Sequence, residues 1–288
     1  MCNKKVIKQK PALYFCNMKR WILATLAFGI ILAACNGNSA EDIHKHDVYY
    51  MAMPKGVVDL YKAVKENPDS INFRLQLAFA LDSIGMPAVA LKQMDTLVTK
   101  DTSNYKLWLN RGAIAEDAKD TVAAMESYAR ALHIYESPDG LLDLANLYAE
   151  TKNPRALLIC SRVTSMALGK EYDAHSAFIA GIYYARTGKR NEALQKFDEC
   201  IAGNYTYMEA YIEKGMVYFD NRQYADALKV FNFAATINNL YADAYYYQAR
   251  CYEMMNNKDS AIIRFKQSLG LDKNLQEAHN GLKRLGAE

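Results

Sequence analysis

This 288-residue chain repeats itself every 34 residues, and nothing else in it constrains the fold as strongly. The blocks AHSAFIAGIYYARTGKRNEALQKFDECIAGNYTY (174–207), MEAYIEKGMVYFDNRQYADALKVFNFAATINNLY (208–241) and ADAYYYQARCYEMMNNKDSAIIRFKQSLGLDKNL (242–275) align without a gap. Position 8 of each block is Gly181, Gly215 or Ala249, and position 11 is Tyr184, Tyr218 or Tyr252. Position 20 is Ala193, Ala227 or Ala261, and position 24 is Phe197, Phe231 or Phe265. Repeats of this length cannot bury an apolar face alone and stack on their neighbours to share one core. With only 6 prolines and 14 glycines, and no lasting period-two alternation, the blocks read as helices.

The pattern resembles the tetratricopeptide repeat, a pair of antiparallel helices per unit. The resemblance implies an all-α, right-handed solenoid. Small residues at 8 and 20 let the two helices of a unit approach closely, and aromatics fill the space to the next unit. The same period runs back through 105–138, with Trp108, Gly112, Ala124, Tyr128 and Ala131, and through 71–104, with Ala78 and Ala90. The intervening block, 139–173, is one residue longer and departs from the pattern. If Tyr148 marks its first helix, Ala156 arrives one residue early, and Asn153-Pro154 makes the turn. A longer connection around GKEYDAHS (169–176) follows, so the stack is expected to bend or twist differently there. VVDLYKAVKENPDS (57–70) matches the second helix of an earlier unit. The solenoid is therefore expected over 57–288, ending in QEAHNGLKRLGAE (276–288) as a cap, polar through His279, Lys283 and Arg284.

The N-terminal region supplies an address. Lys19 and Arg20 precede a run from Trp21 to Ala34 that is apolar except for Thr25. That is a secretory signal, too short for a retained membrane span, which takes about 20 apolar residues. Leu32-Ala33-Ala34-Cys35 resembles the bacterial lipobox, which implies diacylation of Cys35 and removal of residues 1–34. Met18 begins a leader of normal length, so Met1 reads as a misassigned start or the n-region is long. Residues 36–56 show neither period and read as a tether. The leader holds six basic residues and no acidic one, so 29 of the 35 basic residues face 32 acidic ones beyond it, a net of −3. That balance gives no electrostatic reason to expect nucleic acid.

Chemistry is sparse. No GxSxG elbow, HExxH, P-loop or dinucleotide fingerprint occurs. His44 and His46 lie in the tether without a third fixed ligand, so no metal is expected, and no cofactor. Asp173, His175 and Ser176 sit at a helix start, where Asp and Ser are ordinary caps. Cys160, Cys200 and Cys251 read as free buried thiols. No catalytic residue is assigned.

What remains is surface. The resemblance implies that the first helices line a concave groove through positions 2, 5, 9 and 12. The last three repeats give Phe178, Ile212 and Tyr246 at position 5, and Ile182, Met216 and Arg250 at position 9. Position 12 adds Ala185, Phe219 and Glu253. Tyr246 and Tyr247 are not demanded by the repeat. Either this stripe is an exposed partner-binding groove, or a tightly wound superhelix packs these side chains against each other. On the first reading Phe178, Ile182, Ile212, Met216, Phe219, Tyr246, Tyr247 and Arg250 hold a peptide or helix. Family members that grip C-terminal carboxylates use Lys at 5 and Asn at 9. Here position 5 gives Leu75, Leu109, Asp143 in the irregular block, Phe178, Ile212 and Tyr246, and no regular repeat has Asn at 9. The chain is therefore expected to be a non-catalytic interaction scaffold, lipid-anchored in a bacterial envelope and serving an assembly, secretion or cell-wall machine. A glycan-binding surface lipoprotein, with Tyr246, Tyr247 and Phe219 stacking on sugars, is the second reading.

Overall fold

The computed structural model describes residues 53–288, so the leader, Cys35 and the His44–His46 stretch lie outside the described residues. Among the described residues every regular element is an α-helix. α1 (Lys55–Glu66) is a lone second helix, and six helix pairs follow. The first helices are α2 (Ile71–Ser83), α4 (Tyr105–Asp117), α6 (Pro138–Glu150), α8 (Lys170–Arg186), α10 (Met208–Asp220) and α12 (Ala242–Met254). Their partners are α3 (Pro87–Lys100), α5 (Thr121–Ile134), α7 (Arg155–Ser165), α9 (Arg190–Gly203), α11 (Tyr224–Ile237) and α13 (Lys258–Leu271). α14 (Gln276–Arg284) covers the last pair, and each helix packs on the one before and the one after it.

The turns inside the pairs are built alike. Each first helix ends on a left-handed residue at position 15: Gly85 (φ 79°), Lys119 (61°), Lys152 (61°), Gly188 (77°), Arg222 (61°) and Asn256 (58°). The next amide donates back to the position-11 carbonyl, as in Met86 to Leu81, Asn153 to Tyr148 and Asn257 to Tyr252 at 2.7–2.9 Å. This closes the helix C-terminus and satisfies carbonyls that lack an intrahelical partner.

That turn also settles the register of the irregular repeat. Tyr148 and Lys152 stand at positions 11 and 15 only if the repeat begins at Pro138, where α6 begins. Leu142 then occupies position 5, Asp143 position 6, Asn146 position 9 and Glu150 position 13. The irregularity starts beyond the turn. α7 has 11 residues where the second helices of the other five pairs have 14. Ala167 (φ 51°) and Gly169 (φ 109°) then break the backbone before α8, which starts early at Lys170. As a result α6 and α8 pack far more closely than successive first helices do elsewhere.

Between repeats, the position-4 aromatics act as staples. Trp108 Nε1 donates to Thr102 O (3.0 Å), Tyr211 OH to Tyr205 O (3.0 Å) and Tyr245 OH to Asn239 O (3.1 Å), each in the preceding inter-repeat turn. Within repeats, the position-24 ring lies directly on the position-8 glycine. A Cβ on Gly181 would stand 2.6 Å from the Phe197 ring, and one on Gly112 2.5 Å from the Tyr128 ring. Phe197, Phe231 and Phe265 are wholly buried, so these aromatics carry much of the core.

Candidate functional site

The eight residues singled out above all lie on first helices, at two depths. Phe178, Ile182, Ile212 and Tyr246 are buried, whereas Met216, Phe219, Tyr247 and Arg250 are half-buried. Phe178 packs against Phe197 (ring centroids 6.0 Å) and Tyr207 (4.9 Å). Tyr246 lies 5.9 Å from Phe265, and its hydroxyl accepts a hydrogen bond from Arg250 Nη1 at 3.2 Å. Tyr247 stacks on Phe231, with centroids 5.2 Å apart and planes 20° from parallel. Position 5 is thus a core layer. The shallow layer open to a partner is Met216, Phe219, Tyr247 and Arg250. There the Arg250 guanidinium lies 5.7 Å over the Phe219 ring, and Glu253 accepts hydrogen bonds from Nε and Nη2 of Arg284, each at 3.0 Å.

A buried charge cluster, missed at the level of sequence, joins three first helices of this face. Arg186, ending α8, reaches Glu150 of α6 (Nε–Oε2 2.9 Å, Nη2–Oε1 3.2 Å) and Glu213 of α10 (Nη1–Oε2 3.1 Å, Nη2–Oε1 3.3 Å). The three side chains are 12–19% exposed. Burial raises the Glu150 carboxyl above its ordinary value, and the Arg186 charge works against that rise. For Arg186 and Glu213 the available signal was positional: the charges at position 13 of one repeat and position 6 of the next meet across the junction. Glu150 falls outside that rule, because it meets Arg186 from position 13 of one repeat to position 13 of the next.

One junction earlier, acids face acids. Glu116 of α4 accepts a hydrogen bond from Tyr128 OH at 2.5 Å, yet its carboxyl is pushed up to about 7 by burial, with the nearby charges of Asp143 and Asp117 adding to the rise. Asp143 of α6 is likewise pushed up to about 7 by burial and by Asp139. Among the described residues Asp143 has no hydrogen bond or ion pair, and the buried Oδ1 of Asn146, one turn along α6, has no donor.

Elsewhere nothing assembles a nucleophile. Ser176 Oγ is buried without a hydrogen-bond partner, and Asp173 is exposed, so His175 does not activate the serine. Burial pushes the thiols of Cys160, Cys200 and Cys251 up to about 12, leaving them protonated and unreactive. Among the described residues no group of three or more His, Cys, Asp or Glu is placed to hold a metal ion, and no helix is long and apolar enough to cross a membrane.

The tetratricopeptide repeat family model matches residues 75–140, 178–239 and 212–274, more than half of the chain, and the chain belongs to that family. Members of the family are generally protein-interaction scaffolds. No curated protein matches the sequence. Among solved structures, a tetratricopeptide repeat protein from Parabacteroides merdae is similar at a TM-score of 0.67 and 17% identity, covering 85% of this chain and 95% of its own. PilW, a widely conserved type IV pilus biogenesis factor, gives 0.58 at 19% identity over 73% of this chain and 97% of its own. Yeast Tom70 gives 0.54 at 15% identity over 86% of this chain and 60% of its own. At these identities the likeness speaks for the fold.

Proposed function

We propose that the chain is a non-catalytic scaffold held at a bacterial envelope by acyl chains on Cys35, and that its first-helix face binds a peptide or helix of an envelope machine. The observation that carries the binding face is the half-buried layer of Met216, Phe219, Tyr247 and Arg250 over a rigid aromatic core. Apolar and aromatic groups with one cation, set on packed helices, suit an amphipathic segment. The anchor rests on Leu32-Ala33-Ala34-Cys35 following an apolar run. Two acyl chains suffice for stable attachment, and tethering raises the local concentration of whatever the face holds. The glycan reading loses a platform, because Tyr246 is 8% exposed and packed against Phe265.

A photoreactive residue at Phe219 in the full chain, produced in cells, tests the face. Capture of one envelope protein, lost on Met216→Ala/Tyr247→Ala, is the expected result. Capture unaffected by those changes would move the site to the second helices. For the anchor, Cys35→Ser is expected to shift the chain from the membrane pellet to the soluble fraction. Unchanged pelleting would remove lipidation from the proposal.

A further inference from the structure

Along the C-terminal half of the first-helix face, position 12 of one repeat meets position 9 of the next. Phe219 of α10 carries the Arg250 guanidinium of α12, 5.7 Å from its ring centroid. Glu253 of α12 accepts from Arg284, the position-9 residue of the cap α14, through Nε and Nη2 at 3.0 Å each. Arg250 also touches Glu253 (Nε–Oε2 3.1 Å), so one carboxylate is shared by two guanidiniums. This inverts the Arg186 cluster, where one guanidinium is shared by two carboxylates. The charge left over therefore has the opposite sign, and it is more open to a ligand. Arg250 is 31% exposed and Arg284 48%, well above the enclosed Arg186. Among the described residues neither Arg250 Nη2 nor Arg284 Nη1 has an acceptor. The triad thus carries one unshared positive charge, on a chain that is net negative beyond its leader. It also adjoins the apolar layer, because Met216, Phe219 and Tyr247 pack on one core cluster with Ile212 and Phe231, and Phe219 joins that layer to Arg250.

We propose that the Arg250–Arg284 pair receives an aspartate or glutamate side chain of a partner protein segment whose apolar side chains lie on Met216, Phe219 and Tyr247. The inference rests on the reading of this face as a protein-binding surface, and it assigns the segment its charge. Guanidiniums offer N–H groups in a planar fork that matches a carboxylate, and Glu253 already engages both heads in this way. The ring of Phe219 and the Tyr246 hydroxyl hold the Arg250 head, so little side-chain freedom is lost when a second carboxylate binds. The acid is a side chain rather than a chain terminus, because the regular repeats lack the Lys at position 5 and Asn at position 9 that grip terminal carboxylates. A segment that runs along the face presents apolar groups to α10 and α12 and its acid between α12 and α14.

Selection of a random peptide library on the purified full chain tests this, with synthetic, C-terminally amidated copies of the selected peptides titrated against variants. The peptides are expected to share an aspartate or glutamate beside apolar residues. They are expected to bind Arg250→Gln/Glu253→Gln/Arg284→Gln roughly tenfold or more weakly, the loss typical of a charge-assisted contact. That variant keeps a polar group at each site and strands no charge, and a circular dichroism melt checks that it folds. Glu253→Gln alone raises the local positive charge and is expected to tighten binding severalfold, a gain that lost packing does not produce. Acid-bearing peptides that bind the triple variant as tightly as the unmodified chain, or that are weakened by Glu253→Gln, would overturn the pair as their seat. Peptides without an acidic residue that lose binding on Phe219→Ala would overturn the partner chemistry while leaving the face standing. Binding lost on amidation of the peptide, yet kept when its acidic side chains are made amides, would replace the side chain with a chain terminus. If no selected peptide depends on Phe219, the protein-binding reading of the face fails, and this inference with it.

Discussion

Two carboxylates seven residues apart on α6, and therefore on one side of the helix, have opposite surroundings. Glu150 meets Arg186 of α8, which also holds Glu213 of α10, so three consecutive first helices share one ion cluster. Asp143 has no such cation: burial pushes its carboxyl up to about 7, and its charge adds to the rise of Glu116 on α4, which burial also pushes up to about 7. Helix, face and burial are nearly the same; only the neighbour differs. A repeat thus fixes where side chains meet across a junction, while the residue in the adjacent repeat decides whether the meeting stabilises the stack or strains it.

The largest test of this contrast removes the arginine. Arg186→Ala strands two enclosed carboxylates and is expected to destabilise the chain by about 3–5 kcal/mol at pH 7 in chemical denaturation. Adding Glu150→Gln and Glu213→Gln is expected to restore most of that loss. A loss below about 1 kcal/mol would demote the cluster to the rank of surface pairs. Cys160, buried on α7 between α6 and α8, reports the same event. Its maleimide labelling is expected to quicken in Arg186→Ala more than that of Cys251, which lies two repeats away.

The second test removes charge from the strained junction. Both carboxyls titrate higher folded than unfolded, so the native chain holds more protons between about pH 4 and pH 7. Stability therefore falls as pH rises through that window, and the penalty is complete above about 7. Glu116→Gln and Asp143→Asn are each expected to raise stability by about 1–3 kcal/mol at pH 8 and to change little at pH 4. Glutamine keeps the acceptor for Tyr128 OH, so a loss of stability at pH 8 would refute the assignment.

The smallest test uses the turns that follow the two helices. Lys152 after α6 and Gly188 after α8 hold the same left-handed position, at φ 61° and 77°. Lys152→Gly is expected to add about 0.5–1 kcal/mol, and Gly188→Ala to cost a similar amount. Equal melting temperatures for all three proteins would mean that the turn stores no strain.

Much of the fold was legible because it is written as distances along the chain. The small residues at positions 8 and 20 and the aromatics at 11 and 24 recur every 34 residues, so three aligned blocks sufficed to see them. The structure showed that the Phe197 ring lies on Gly181 of its own repeat rather than toward the next unit, and that Trp108 reaches its preceding turn. The irregular block was legible only in part. Tyr148 pointed to the right start, but Ala156 belongs to a second helix that enters one residue early, and a register shared by the whole block cannot satisfy both. Of the eight candidate residues, sequence placed all on first helices without giving their depth. Position 5 looks outward on a single helix, and it is the packed second helix of the same repeat that helps to enclose it, with Phe197 against Phe178, Phe231 beside Ile212 and Phe265 against Tyr246.

By itself, then, the sequence determined the helical repeat, its length, its small and aromatic positions and the polar cap, since each depends on steric fit within about one period. Tertiary structure alone decided which charges meet, Arg186 with Glu150 and Glu213. Those contacts span 27 to 36 residues and depend on how one repeat seats on the next. A single residue of register moves a helical side chain by about 100° around its axis, so pairing across repeats is fixed only once the helices are packed.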